Sequence, residues 1–304
     1  MKKEINYLSI LFIICFMLFG IWLYLLVGPY VAMADINETS ILNTTVNISN
    51  SGPEVRTVTI ANQIYLTAYD TQNVECNVTV YDYDNNIAGV NATFFYYQNS
   101  PTDPDHNATH YTNTSCTATS PWDYAMNFSC TFDVEYFANN GTWYCNATAW
   151  DDDNAAGNNQ SDAGVINPLV AIYVPGLIDY GELAKGDISA TALPANITNA
   201  GNRDINISVE GWGVNRADGW AMNCTYGHID VQYERYNSTN EAWANMYQLT
   251  STGSTVMIPN FWIDKRDSNT EESWNATYWR LEIPAGAGGI CNGKILFEAS
   301  DFSG

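Results

Sequence analysis

The chain has 304 residues, 46% of them hydrophobic, enough for packed cores, and a formal net charge of −22 at pH 7. Beyond residue 34, nine Lys and Arg stand against thirty-two Asp and Glu, a formal −23. A polyanion of this strength repels nucleic acid and anionic lipid, which excludes both as partners, and the length leaves room for two domains.

Lys2 and Lys3 precede an apolar stretch from Tyr7 to Val27 that stops at Gly28-Pro29. At about 1.5 Å per residue it just crosses a hydrocarbon core of ~30 Å, and its basic flank predicts an N-terminus inside and a C-terminus outside. Ala32-Met33-Ala34 has the small-x-small form that signal peptidase cuts. Residues 1–34 are therefore a retained single-pass anchor, which the length of the run favours, or a signal peptide cleaved after Ala34 to give a secreted protein. Cys15 within it is expected as a membrane-buried thiol. Residues 35–54 are polar, lack an apolar period and read as a glycosylated stalk.

Sixteen Asn-x-Ser/Thr triplets follow the apolar segment, at Asn37, Asn43, Asn47, Asn77, Asn91, Asn107, Asn113, Asn127, Asn140, Asn146, Asn159, Asn196, Asn206, Asn223, Asn237 and Asn275. Chance placement would give roughly five, so the excess predicts an exported chain carrying N-linked glycans. The six cysteines beyond the anchor, Cys76, Cys116, Cys130, Cys145, Cys224 and Cys291, are even in number and lack the close spacing of zinc or redox sites. In an exported chain they predict disulfides.

After the stalk, period-two alternation dominates. Val74, Cys76, Val78 and Val80 point one way, as do Phe128, Cys130, Phe132 and Val134, and Trp143, Cys145, Ala147 and Ala149. Ile205, Ile207 and Val209 repeat the pattern, then Ile229, Val231 and Tyr233. Clusters such as Asp84-Asn85-Asn86, Asn139-Asn140-Gly141, Asn199-Ala200-Gly201-Asn202 and Gly286-Ala287-Gly288-Gly289 punctuate them as turns. Short strands with regular turns predict β-sandwiches, one over 55–168 and one over 174–304.

Cys76 lies mid-strand early in the first domain, and Cys145 lies late in it, in Gly141-Thr142-Trp143-Tyr144-Cys145 after an Asn-Gly turn. This resembles the paired strand B and strand F cysteines of an immunoglobulin-like domain. Trp143 replaces the usual Tyr two residues before the second Cys, and Phe94-Phe95-Tyr96-Tyr97 replaces the usual strand C Trp. In the second domain, Leu177-Ile178-Asp179-Tyr180-Gly181-Glu182-Leu183, Ile197-Thr198-Asn199-Ala200-Gly201-Asn202 and Trp279-Arg280-Leu281-Glu282-Ile283-Pro284 before a last strand over Lys294–Ala299 resemble immunoglobulin-like modules in tandem on archaeal and bacterial surface proteins. The implied fold is all-β: the N-terminal transmembrane or signal helix, then two tandem immunoglobulin-like β-sandwiches. Four cysteines allow three connectivities. The implied strand order favours Cys76–Cys145 with Cys116–Cys130 stapling a hairpin at Pro121-Trp122-Asp123, and Cys224–Cys291 is the pair left for the second domain.

Three features bear on chemistry. His106 and His110 have the i, i+4 spacing of helical metal ligands, but no Glu follows the first and Asn107 heads a sequon, so a polar loop is expected. Asp82-Tyr83-Asp84 and Asp151-Asp152-Asp153 each begin six residues after Cys76 and Cys145. If those cysteines are bonded, Asp82, Asp84, Asp151 and Asp153 emerge at one end, where they would suit calcium; solvated turn aspartates are the plainer alternative. No other cofactor is implied. Trp212, Trp220 and Trp243 are candidate sugar platforms, whereas Trp143 and Trp279 alternate like core residues. No nucleophile, phosphate-loop or dinucleotide motif occurs, so no enzyme is expected. The expected function is a glycosylated, membrane-anchored structural or binding protein of the cell surface: envelope component, adhesin or appendage subunit. Its partners would be other surface proteins or copies of itself. A carbohydrate-binding module is the first alternative, a secreted enzyme or accessory protein the second.

Overall fold

The structure, a computed structural model, describes residues 7–26 and 41–302. Lys2, Lys3, Gly28-Pro29, the Ala32-Met33-Ala34 cleavage motif, the Asn37 sequon and residues 35–40 of the expected stalk lie outside the described residues. The chain divides into two units, residues 1–48 and 49–304. In the first, α1 runs over Tyr7–Leu26 for 20 residues. The side chains described in it, those of residues 11–22, are all exposed. Among the described residues no helix is long and apolar enough to cross a membrane.

The second unit is built of antiparallel β-sheets in two pairs, each around its own core. The first pair comprises β1 (Glu54–Ile60), β2 (Gln63–Ile64), β3 (Thr71–Tyr81), β4 (Ile87–Tyr96), β5 (His110–Asn113), β6 (Thr117–Trp122), β7 (Ala125–Glu135), β8 (Gly141–Asp151), β9 (Ala156–Gln160) and β10 (Gly164–Ile166). One sheet has the order β1-β3-β7-β6; the other has β2-β10-β8-β4-β5, with β9 also on β8. Among the described residues only the β2–β10 pairing is parallel. The inward residues of β3, β7 and β8 are those of the period-two pattern. Val78, Val80, Cys130, Val134, Trp143, Cys145, Ala147 and Ala149 are all buried in one cluster. Trp143 is fully buried, stacked on Phe94 at 4.7 Å between centroids, and its Nε1 donates to the Asn139 carbonyl at 2.7 Å. Burying so large a ring while satisfying its one donor is the condition for a Trp in a core.

Cys76 bonds Cys145 across the two sheets, and Cys116 bonds Cys130 within the β6–β7 region. Cys76 and Cys130 face each other in the β3–β7 register, so the two bridges leave from adjacent positions.

The second pair comprises β11 (Ile172–Tyr173), β12 (Leu193–Asn199), β13 (Ile205–Trp212), β14 (Trp220–Tyr226), β15 (His228–Asp230), β16 (Glu234–Asn237), β17 (Tyr247–Gln248), β18 (Val256–Ile263), β19 (Trp274–Leu281) and β20 (Gly288–Asp301). The orders are β11-β12-β19-β16-β17 and β15-β14-β20-β13-β18. Ile205, Ile207, Val209, Ile229 and Trp279 fill the core. Cys224 bonds Cys291, its register partner across β14 and β20. Two expectations are corrected here. Val231–Tyr233 is a 3-10 turn rather than strand, closed by the Glu234 N–H on the Val231 carbonyl. The last strand starts at Gly288, inside the expected glycine turn, because β20 pairs with both β13 and β14.

The segment joining the pairs is short and fixed. The Leu169 N–H donates to Asn202 Oδ1 at 2.7 Å, Asn202 Nδ2 donates to the Asn167 carbonyl at 3.1 Å, and the Ala200 N–H donates to the Ala171 carbonyl at 2.9 Å. Gly201 allows this approach, since a Cβ there would collide with the Leu169 carbonyl. Arg266 reinforces it: its guanidinium sits 5.2 Å from the Phe137 centroid and donates to the Tyr136 hydroxyl at 3.2 Å.

Candidate functional site

The β3–β4 and β8–β9 connections are twin turns at one end of the first sheet pair. In each, the first Asp accepts the N–H of the second: Asp84 N to Asp82 Oδ1 and Asp153 N to Asp151 Oδ1, both at 3.0 Å. In each, an Asn in the left-handed region closes the turn, Asn85 at φ 57° and Asn154 at φ 65°, a conformation Asn tolerates better than most residues. The Asp152 N–H donates to the Asn86 carbonyl at 3.1 Å, which ties one turn to the other. Asp82 and Asp151 are each only 1% exposed, whereas Asp84 and Asp153 are exposed.

Sequence reasoning missed a third participant, the segment just ahead of β1. Asn50 Nδ2 donates to Asp151 Oδ2 at 3.0 Å, and the Ser51 N–H donates to Asp84 Oδ2. Residues 50–53, expected as stalk, are therefore attached to the first sheet pair, and Gly157 leaves room for the Pro53 carbonyl. Asp151 Oδ1 takes a second donor, the Ala155 N–H, at 2.8 Å. Asp82 Oδ2 takes none, and neither do the buried oxygens Asn50 Oδ1 and Asn86 Oδ1. Among the described residues no three His, Cys, Asp or Glu side chains form a metal-holding group. Of the four aspartates, Asp84 and Asp153 face solvent while Asp82 and Asp151 are buried in their turns.

An open cavity of 430 Å³ lies between the second sheet pair and the segment ahead of β12, lined by Tyr180, Trp212, Glu234 and Lys294 among others. Glu234 is 1% exposed and accepts the Tyr180 hydroxyl at 2.8 Å. Burial pushes its carboxyl up to about 7, against a smaller downward pull from the Tyr180 hydrogen bond. Burial and the neighbouring Glu234 charge raise the Tyr180 phenol well above its ordinary value. The only sequence signal for Glu234 is that it shares the inward parity of Tyr236 on β16.

The tryptophans proposed as sugar platforms have individual partners. Trp220 stacks on His228 at 4.3 Å, the Arg235 guanidinium covers Trp243 at 4.5 Å, and Trp212 lines the cavity. No two of these rings stack on each other among the described residues. More exposed are Trp262 and Trp274, 48% and 47%, which line a separate cleft of 480 Å³ with Asp264, Lys265 and Glu272. The rings of His106 and His110 have separate acidic neighbours. His110 is buried with Nδ1 3.0 Å from Asp105 Oδ1, while His106 Nε2 lies 3.6 Å from Asp267.

Of the fifteen sequon asparagines described, fourteen keep their side chains partly or fully exposed, Asn77 and Asn146 among them. Asn237 departs from the expected pattern. It is buried, donates through Nδ2 to the Asn245 carbonyl and accepts the Ser238 N–H, which leaves no room for a glycan in the folded state. No family model matches this chain. No curated protein matches it either.

Proposed function

We propose that the chain is a glycosylated, membrane-anchored protein of the cell surface whose two β-sandwiches, over 55–168 and 174–304, serve a structural or binding role in an envelope, adhesin or appendage. The observation that carries this reading is the disposition of the sequons: twelve asparagines of the unit braced by three disulfides are half-buried or exposed, and only Asn237 among those described there is buried. Both features suit an oxidising, exported setting. The strand orders support an immunoglobulin-like description of the first sandwich. A cross-sheet disulfide joins the centres of β3 and β8, and a short strand pairs in parallel with the last one. The anchor rests on the sequence alone, on the apolar run from Tyr7 to Val27 and the two lysines ahead of it.

Glycopeptide mapping of the protein from its native cells tests this. Glycans are expected on several of the fourteen partly or fully exposed asparagines and not on Asn237. A chain bare at every sequon would sink the reading. Protease treatment of intact cells tests the anchor: residues beyond 41 should be shed while α1 stays with the membrane fraction. A sugar-binding role has one observation in its favour, the Trp262–Trp274 cleft with its rim of carboxylates. Loss of oligosaccharide retention in Trp274→Ala would establish it, and no retention by the wild type would dismiss it.

A further inference from the structure

Seven buried side-chain polar atoms among the described residues have no hydrogen-bond partner, and three of them belong to one loop cluster: Asp82 Oδ2, Asn50 Oδ1 and Asn86 Oδ1. All three are acceptors. Asp82 is 1% exposed, and no Lys, Arg or His among the described residues forms an ion pair with it or with Asp151. A carboxylate removed from water needs donors or a counter-charge, and the turn supplies one N–H to one of its two oxygens. The matching turn shows what a satisfied version looks like, since Asp151 has donors on both oxygens. Acceptors without donors, set beside two buried carboxylates, are what an oxygen-coordinated cation requires.

We propose that Asp82, Asp151, Asn50 and Asn86 form a site for a hard divalent cation of the calcium class, which fastens the segment ahead of β1 to both turns. Two carboxylates and two amide carbonyls are a mixed set that such an ion accepts, completing its six to eight oxygens with water. The ligands come from three separate stretches of chain, already drawn together by the Asn50–Asp151, Ser51–Asp84 and Asp152–Asn86 hydrogen bonds. The ion neutralises the charge that the turns bury and fixes the point where the chain joins the first sheet pair. Asp84 and Asp153, exposed on the rim, are outside the ligand set.

The test uses the full chain, stripped with EDTA and titrated with calcium chloride, reading melting temperature and limited proteolysis between residues 41 and 53. Calcium is expected to raise the melting temperature by binding the native state alone, and to slow the cleavage. Asp82→Asn removes the charge and keeps the shape; it should weaken calcium about tenfold or more and leave the segment cleavable. Asp153→Asn should respond to calcium as the wild type does. If Asp82→Asn does not fold, Asn86→Ala takes its place. A melting temperature unmoved by millimolar calcium overturns the proposal. So does an equal response from Asp82→Asn and wild type, or a gain that sodium chloride of the same ionic strength reproduces, since either marks a diffuse effect on an acidic surface.

Discussion

Glu234 makes the second sheet pair sensitive to pH in a direction opposite to that of an ion-paired carboxylate. Its carboxyl is pushed up to about 7 by burial, against an ordinary value of 4.5 that it regains on unfolding. The folded chain therefore holds this proton more tightly than the unfolded one. As pH rises from about 4.5 to about 7 the unfolded state releases it first, and stability falls across that window; above it both states are ionised and the loss is complete. At about 1.4 kcal/mol per pH unit, the gap amounts to about 3 kcal/mol. Glu234→Gln is nearly isosteric, stays neutral and still accepts the Tyr180 hydroxyl. It should match the wild type near pH 4.5 and exceed it by about 3 kcal/mol above pH 7. Urea unfolding of both proteins, followed by Trp fluorescence at fixed ionic strength, measures the difference and cancels the background of a chain carrying −22. Trp279, 5.3 Å from the Tyr236 ring, is a buried reporter near the site. Parallel curves for the two proteins from pH 4.5 to 8 would refute the reasoning.

Gly201→Ala places a Cβ against the Leu169 carbonyl and should cost about 1–3 kcal/mol, with faster proteolysis at residues 167–171 as its mark. Arg216→Ala strips the partner at 2.6 Å from the fully buried Glu210, leaving that carboxylate the Gly253 N–H alone. The expected loss is about 1–2 kcal/mol, discounted because Arg216 is half-exposed, and adding Glu210→Gln should recover part of it in a double-mutant cycle. Replacing Cys76 and Cys145 together by Ser opens a link across 69 residues and should cost about 4 kcal/mol in denaturant unfolding.

The strands were legible because burial in a sheet imposes a period of two, and β3, β7 and β8 carry it over 11 residues each. Where a local bond competes, the same signal misleads. Val231 and Tyr233 alternate correctly, yet an i to i+3 hydrogen bond winds them into a 3-10 turn. Glycine misleads too: Gly288 belongs to the expected turn, yet it opens β20 and pairs with Tyr226 on β14. The acidic turns could be located from their distance to the cysteines. Asn50 could not, because its partner Asp151 is 101 residues away and nothing in Asn50-Ser51-Gly52 points to it. Trp212, Trp220 and Trp243 show a further limit: composition supplies the rings, but His228 and Arg235 decide which faces are covered.

The parallel pairing of β2 with β10 governs how the first sheet pair answers a pull. The chain joins this pair at the end bearing the acidic turns and leaves β10 beside Gly141, at the far end of β8. Tension applied to the two ends drags β2 and β10 in opposite directions along their common axis. Their hydrogen bonds, and those of β1 on β3, are then loaded side by side in shear rather than opened one after another. The six residue pairs of β1 on β3 then carry more of this load than the two of β2 on β10. The terminal strands are thus arranged as a mechanical latch, with the Asn50–Asp151 contact at the end where the load arrives.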